Sequence, residues 1–203
     1  MMRRILAFAC LLVLPAAVFA QASDEWDFAV ALDGKPIGTH RFVVSGPSEA
    51  RSVDSRADMV VRMLGIPVYR YRHRAEERWQ GNCLRELNAD TDDDGKRQQV
   101  AQRFDSPACL MGFSYWNPKL VQQRQLVDPQ TGRVTEVRFE AVADGSIDVR
   151  DRKVPAHGWL LLADKQRITV WYAADTGRWI GLDADAKGGR RLSYRIPPEK
   201  APP

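Results

Sequence analysis

Period-two alternation runs through most of this chain. Trp26, Phe28, Val30 and Leu32 alternate with Asp27, Ala29, Ala31 and Asp33, as expected of a strand with one buried face. Asp33-Gly34-Lys35-Pro36 reads as a turn, and residues 37–44 return as the second strand of a hairpin. Gly46-Pro47-Ser48 breaks that strand, and a long one follows with Val53, Ser55, Ala57, Met59 and Val61 on one side. After Leu64-Gly65-Ile66-Pro67 comes VYRYRHRAEERW. Its alternation puts Tyr69, Tyr71, His73, Ala75 and Trp79 on one face and Arg70, Arg72, Arg74 and Arg78 on the other. Strands over 83–90 and 97–104 flank Asp92-Asp93-Asp94-Gly95, and strands over 125–127 and 133–142 bracket DPQTG. Alternation resumes over 159–162, 167–172, 179–184 and 190–196.

One stretch departs from this pattern. GFSYWNPKL, residues 112–120, places Phe113, Tyr115 and Trp116 ahead of an Asn-Pro pair. Asn117 suits a helix N-cap and Pro118 the first helical position, so a short helix is predicted near residues 117–124. The three aromatic residues then serve as a plug for the sheet. The whole reads as all-β: an antiparallel, strongly curved sheet, half-barrel or barrel-like, forming one domain over 24–196. PPEKAPP, residues 197–203, reads as a disordered Pro-rich tail.

The N-terminus sets the compartment. Arg3 and Arg4 precede an apolar run over 5–19 that is shorter than the roughly 18 residues a spanning helix needs. Small residues then offer cleavage after Ala20 or Ala22, which makes residues 1–20 a signal peptide and the mature protein periplasmic. Cys10 leaves with it. Cys83 and Cys109 remain, and a lone pair in an oxidising compartment is expected to form a disulfide. The formal net charge of +4 includes the two leader arginines, so the mature chain is only mildly basic and carries no nucleic-acid footprint.

Catalytic chemistry is hard to assemble from these residues. No Gly-x-Ser-x-Gly elbow, phosphate loop or His-x-x-x-His pair is present, and the three histidines stand apart in the chain. Asp90-Thr91-Asp92-Asp93-Asp94-Gly95 opens like a calcium loop, but Ala101 stands where the closing bidentate Glu belongs, so a turn is the simpler reading. No metal or cofactor is expected. The arginine row is a solvated strand face, or else a comb for acidic head groups. Six Trp in one domain is generous. Such side chains build a β core and also line ligand grooves.

The hairpin VALDGKPIGTHRF, the segment FSYWNPKL with QLVDPQTGRV, and the closing WYAADTGRWIGLDA with RRLSYRI resemble a group of exported proteobacterial proteins with a domain of unknown function. The closing block is also similar to a wider set of periplasmic β proteins, themselves distantly like the half-barrels that carry lipoproteins and lipids. The resemblance implies an antiparallel curved sheet and an exported protein, and it transfers no catalytic residue. The expected function is therefore non-enzymatic: binding of an apolar or lipid-like envelope ligand on the curved sheet. Tyr69, Tyr71, Trp79, Phe113, Tyr115 and Trp116 would line the groove, with Arg70, Arg72 and Arg74 at a head group. The alternatives are an envelope scaffold with a protein partner and a hydrolase built around His73 or His157.

Overall fold

The computed structural model describes residues 23–105, 108–164 and 166–199. The leader with both of its cut sites, and residues 200–203 of the tail, lie outside the described residues. Among the described residues the chain forms one large antiparallel sheet of 12 strands and a small mixed sheet of 3.

The first six strands are a meander: β1 (Ser23–Leu32), β2 (Lys35–Ser45), β3 (Arg51–Met63), β4 (Ile66–Gln80), β5 (Cys83–Asp93) and β6 (Lys96–Arg103). The small sheet follows, with β7 (Met111–Gly112), β8 (Gln125–Val127) and β9 (Val134–Glu136). The chain then rejoins the large sheet through β10 (Arg138–Ala141), β11 (Gly145–Val149), β12 (Arg152–Ala163), β13 (Gln166–Ala173), β14 (Trp179–Ala186) and β15 (Arg190–Arg195). Strand order is β10-β12-β13-β14-β15-β1-β2-β3-β4-β5-β6, with β11 beside β12. The sheet does not close, because β6 and β10 remain edges: it is a half-barrel. Every residue of β6 except Val100 is exposed, and Lys96, Arg97 and Arg103 discourage a further strand from pairing there.

The alternation anticipated in β1 is observed, with Trp26, Phe28 and Val30 at 4, 1 and 0 % exposure. Together with Phe42, Val53, Leu87, Val170, Trp179 and Leu182 they form the main core on the inner face. The inner face is covered by the chain's own segment between β6 and β10. Met111, Leu120, Leu126 and Val127 from this segment are fully buried in that same core. A second, smaller cluster, Ile147, Ala156, Ala173 and Ile180, lies on the opposite face beneath β11.

The expected helix is present as a 3-10 helix, Pro118–Gln122, capped by Asn117, whose side chain accepts from the Lys119 backbone N–H at 3.1 Å. Two expectations change. Residues 133–142 are not one strand but β9 and β10, because at buried Val137 the chain turns from the small sheet to the large one, its N–H donating to Arg124 O. β11 was not anticipated, since Gly145 and Ser146 weaken the strand pattern. At Gly38 the bulge opposite Val30 brings β2 against β3 so closely that a Cβ would lie 1.9 Å from Asp58 O.

Candidate functional site

Inward-facing positions carry a polar network among the aromatic residues. His40 on β2 is opposite Ala57, two residues along β3 from Ser55 on the same face, and Tyr194 comes from β15 across β1. His40 Nε2 lies 2.8 Å from Ser55 Oγ and Nδ1 lies 3.3 Å from Tyr194 OH, with the imidazole stacked 4.0 Å from Phe42. Burial, reinforced by nearby His73, pushes the His40 pKa down to about 3. The ring is thus neutral at ordinary pH and serves as a hydrogen-bonding hub. His73, 4 % exposed, pairs with fully buried Thr91 at 2.8 Å, and burial lowers its pKa as well. Both histidines are satisfied core residues.

Glu77 faces the same interior at 9 % exposure. Burial raises its pKa to about 7, against a donated hydrogen bond from Trp79 Nε1 at 2.8 Å that works the other way. Its folded-state pKa exceeds the ordinary 4.5, so between those values the folded protein holds a proton that the unfolded chain has released. Stability from this group is complete below pH 4.5 and is lost as pH rises through 7. Glu77→Gln is expected to match the parent below that window and to exceed it by about 3 kcal/mol above it. Urea melts of both proteins across the range test this, and a difference that does not change with pH would contradict it.

The aromatic residues divide into two groups. Trp79 is core, 3 % exposed, and meets Trp116 edge-on at 5.4 Å. Phe113, Tyr115 and Trp116 are half-buried and pack on the core as a plug. Tyr115 sits 5.4 Å from Trp179, and its carbonyl accepts from Tyr172 OH at 3.0 Å; the Arg51 guanidinium covers Trp116 at 5.6 Å. Tyr69 and Tyr71 lie toward the open end of the half-barrel, where Tyr71 OH accepts from Gln130 Nε2 at 2.7 Å.

Arg70, Arg72 and Arg74 are exposed on the outer face, away from the two tyrosines. Arg72 stands 3.6 Å from Asp92, and Arg74 is opposite Asp90 in β5. Arg70 is opposite Val60 and extends past the end of β5. Near them the Asp-rich turn is used structurally, Asp92 Oδ1 accepting the Gly95 N–H at 2.8 Å. His157 is an exposed partner of Asp144 at 2.8 Å. The predicted disulfide joins Cys83 at the start of β5 to Cys109, just ahead of β7.

Two hollows stand out among the described residues. One, about 170 Å³ on the outer face, is lined by Arg167, Thr169, Asp183, Asp185 and Arg191. Its charges are already paired, with Asp183 held by Arg195 at 2.8 Å and by Trp171 Nε1 at 2.8 Å. The other, about 390 Å³, lies at the open end between the β1–β2 turn and β3. Leu32, Pro36, Ile37, Val60 and Val61 form its apolar wall, and Lys35 and Arg62 its rim, with Arg190 already paired to Asp33 at 2.7 Å. Val61 is the cross-strand partner of Tyr69, but neither Tyr69 nor Tyr71, which is opposite Met59, is among the residues that line this hollow. Sequence reasoning missed it, since its residues come from the ends of β1 and β3, both next to bulges, and the starts of β2 and β15.

Residues 28–196 match the model of a family described as a domain of unknown function, DUF6134. No curated protein matches the chain. Among solved structures, it is similar to a β-barrel-like protein of the domain of unknown function DUF1849 from Brucella abortus, with a TM-score of 0.56 at 10% identity, over 84% of this chain and 94% of that one. At that identity the likeness concerns the fold alone.

Proposed function

The chain belongs to the DUF6134 family, and for this member we propose a non-enzymatic role in the periplasm, binding an apolar or lipid-like envelope ligand with an acidic head at the open end of the half-barrel. The observation that carries this reading is the hollow of about 390 Å³, with an apolar wall and a cationic rim. Its size falls within the range of small-molecule sites, and a few placed charges on an apolar wall are what such sites use for orientation. The leader sequence and the Cys83–Cys109 disulfide support export. In this reading the acyl chain lies against Ile37, Val60 and Val61, the last opposite Tyr69, and Lys35 and Arg62 meet the head group. The groove moves from the aromatic plug to the open end, because the plug fills the inner face.

That filled interior favours a second reading, an envelope scaffold whose aromatic residues are all core. Native mass spectrometry of the protein purified gently from the periplasm separates the two. A co-purifying acidic lipid is expected, with occupancy falling severalfold in Lys35→Glu, an exposed change that leaves the core alone. A protein that flies at its bare mature mass would sink the carrier reading.

A further inference from the structure

Among the described residues, four two-residue hairpin turns place both central residues at positive φ: Arg150-Asp151, at 48° and 62°, and three that end in glycine. Those three are Asp33-Gly34, Leu64-Gly65 and Asp94-Gly95, at 50° and 75°, 51° and 82°, 51° and 86°. This geometry favours Asn or Asp followed by Gly and penalises a branched apolar residue in the first position. Two of those three comply, and their aspartates are used: Asp33 accepts from Arg190 and Arg191, and Asp94 from the Arg70 backbone N–H. The third has leucine, and Leu64 is 100 % exposed. Neither the backbone nor the core gains from leucine there.

Its surroundings share the anomaly. Among the described residues, large exposed hydrophobic side chains gather at this turn: Met63, Leu64, Ile66, Val68 and Tyr69, with Val134 the single other. β2 pairs β3 only as far as Met59, and β5 pairs β4 only as far as Tyr71. Residues 63–69 therefore project past both neighbours as a two-stranded finger, with Val60, Val61 and Arg62 still facing the start of β2 and Arg70 still bonded to Asp94. No carboxylate occurs between Met59 and Arg72, whereas Arg62, Arg70 and Arg72 ring the finger. Asp92, Asp93 and Asp94 stand at its base, meeting Arg72, Tyr69 OH and the Arg70 N–H.

We propose that this finger is a membrane-docking element, its apolar tip entering the surface of an anionic bilayer and its arginines meeting lipid phosphates. The charge pattern fits that partner, since arginine stems lie along apolar surface while their heads reach the anionic layer. A protein partner is a poorer fit. The tip is narrow and convex, whereas a stable protein interface takes on the order of 800 Å² from each side, and Pro67 removes a donor that an added strand would use. Val60, Val61 and Arg62 also line the open-end hollow, so docking sets its mouth at head-group level. The docking stands on the finger alone and does not rest on the ligand-binding reading.

The test is flotation of the mature chain, stripped of lipid, with vesicles of phosphatidylglycerol and phosphatidylethanolamine or of phosphatidylcholine alone. The protein is expected to float with the anionic vesicles, less so at high salt. Leu64→Asn keeps the positive φ and the fold, as checked by its melting temperature, and Ile66→Asn is a second probe. Each is expected to weaken partitioning about tenfold. No flotation of the parent, or variants that float as well as it does, would overturn the proposal. So would parent self-association in the absence of vesicles that Leu64→Asn abolishes, which would make a second copy the occupant. Because the stripped protein is used, docking with no co-purifying lipid would overturn the carrier reading only, and cargo without flotation the finger only.

Discussion

Trp179→Ala is expected to lower the unfolding free energy by about 4 kcal/mol, the middle of the range for truncating a buried aromatic residue. Trp179 is 0 % exposed and is the largest of the fully buried side chains. Its ring meets Phe28 at 4.4 Å, Phe42 at 5.1 Å, Tyr115 at 5.4 Å and Trp26 at 6.2 Å. These neighbours belong to β1, β2 and the plug, so one side chain ties both halves of the sheet to the segment that covers it. The cavity left behind would be walled by rigid rings that collapse poorly. Gly181 O would also lose the N–H donated by Trp179 Nε1 at 2.8 Å. Chemical denaturation measures the effect, and a loss under about 1.5 kcal/mol would mean the plug repacks freely into the gap.

The second large effect is expected at the disulfide. Cys83 and Cys109 lie 26 residues apart in sequence, and closing such a loop stabilises by about 3–4 kcal/mol in the chain-entropy model. The bridge fixes the start of β5 to the chain that leads into the plug, beside the hydrogen bond from Leu84 N–H to Leu110 O at 2.8 Å. Replacing both cysteines by serine should reduce stability by that amount and speed amide exchange near β7 before it affects β1. The intact parent should gain mass on reduction. Free thiols in the unreduced parent, or a double variant as stable as the parent, would refute this account.

Set beside the effects at Trp179 and the disulfide, the open-end features are energetically quiet. Leu64 and Lys35 are exposed, and changing them should leave the melt unmoved while altering what the protein touches. That contrast separates structural aromatic residues from functional surface. It also answers the question raised by the Phe113, Tyr115 and Trp116 cluster, whose packing is that of a lid on the sheet.

Legibility followed the range of the interactions. The Asp33-Gly34 and Asp94-Gly95 turns, the alternation of β1 and β4, and the Asn117 cap depend on residues a few positions apart, and all three were readable. Glu77 shares the inner face with Tyr71, His73 and Trp79 by the same alternation, so its burial was implied although a charged residue argued against it. The break at Val137 was hidden, because β9 and β10 read as one alternating run and only the partner sheets differ. The hollow was hidden for a similar reason, being lined by β1, β2, β3 and the start of β15.

By itself, then, the sequence determined most of the strands and their inward faces, the Asp-Gly hairpin turns, the cysteine pairing and the all-β class, because side-chain alternation and turn chemistry are local properties of the backbone. Tertiary structure decided the rest. Pairing of β1 with β15, which sets Val30 against Tyr194, wraps the two ends of the chain into one curved sheet. That pairing sends the plug into the inner face, leaves a hollow at the open end, and lets residues 63–69 outrun their neighbours. Each of these depends on which distant strands meet, a choice made by burial of the shared inner face and not by any single segment.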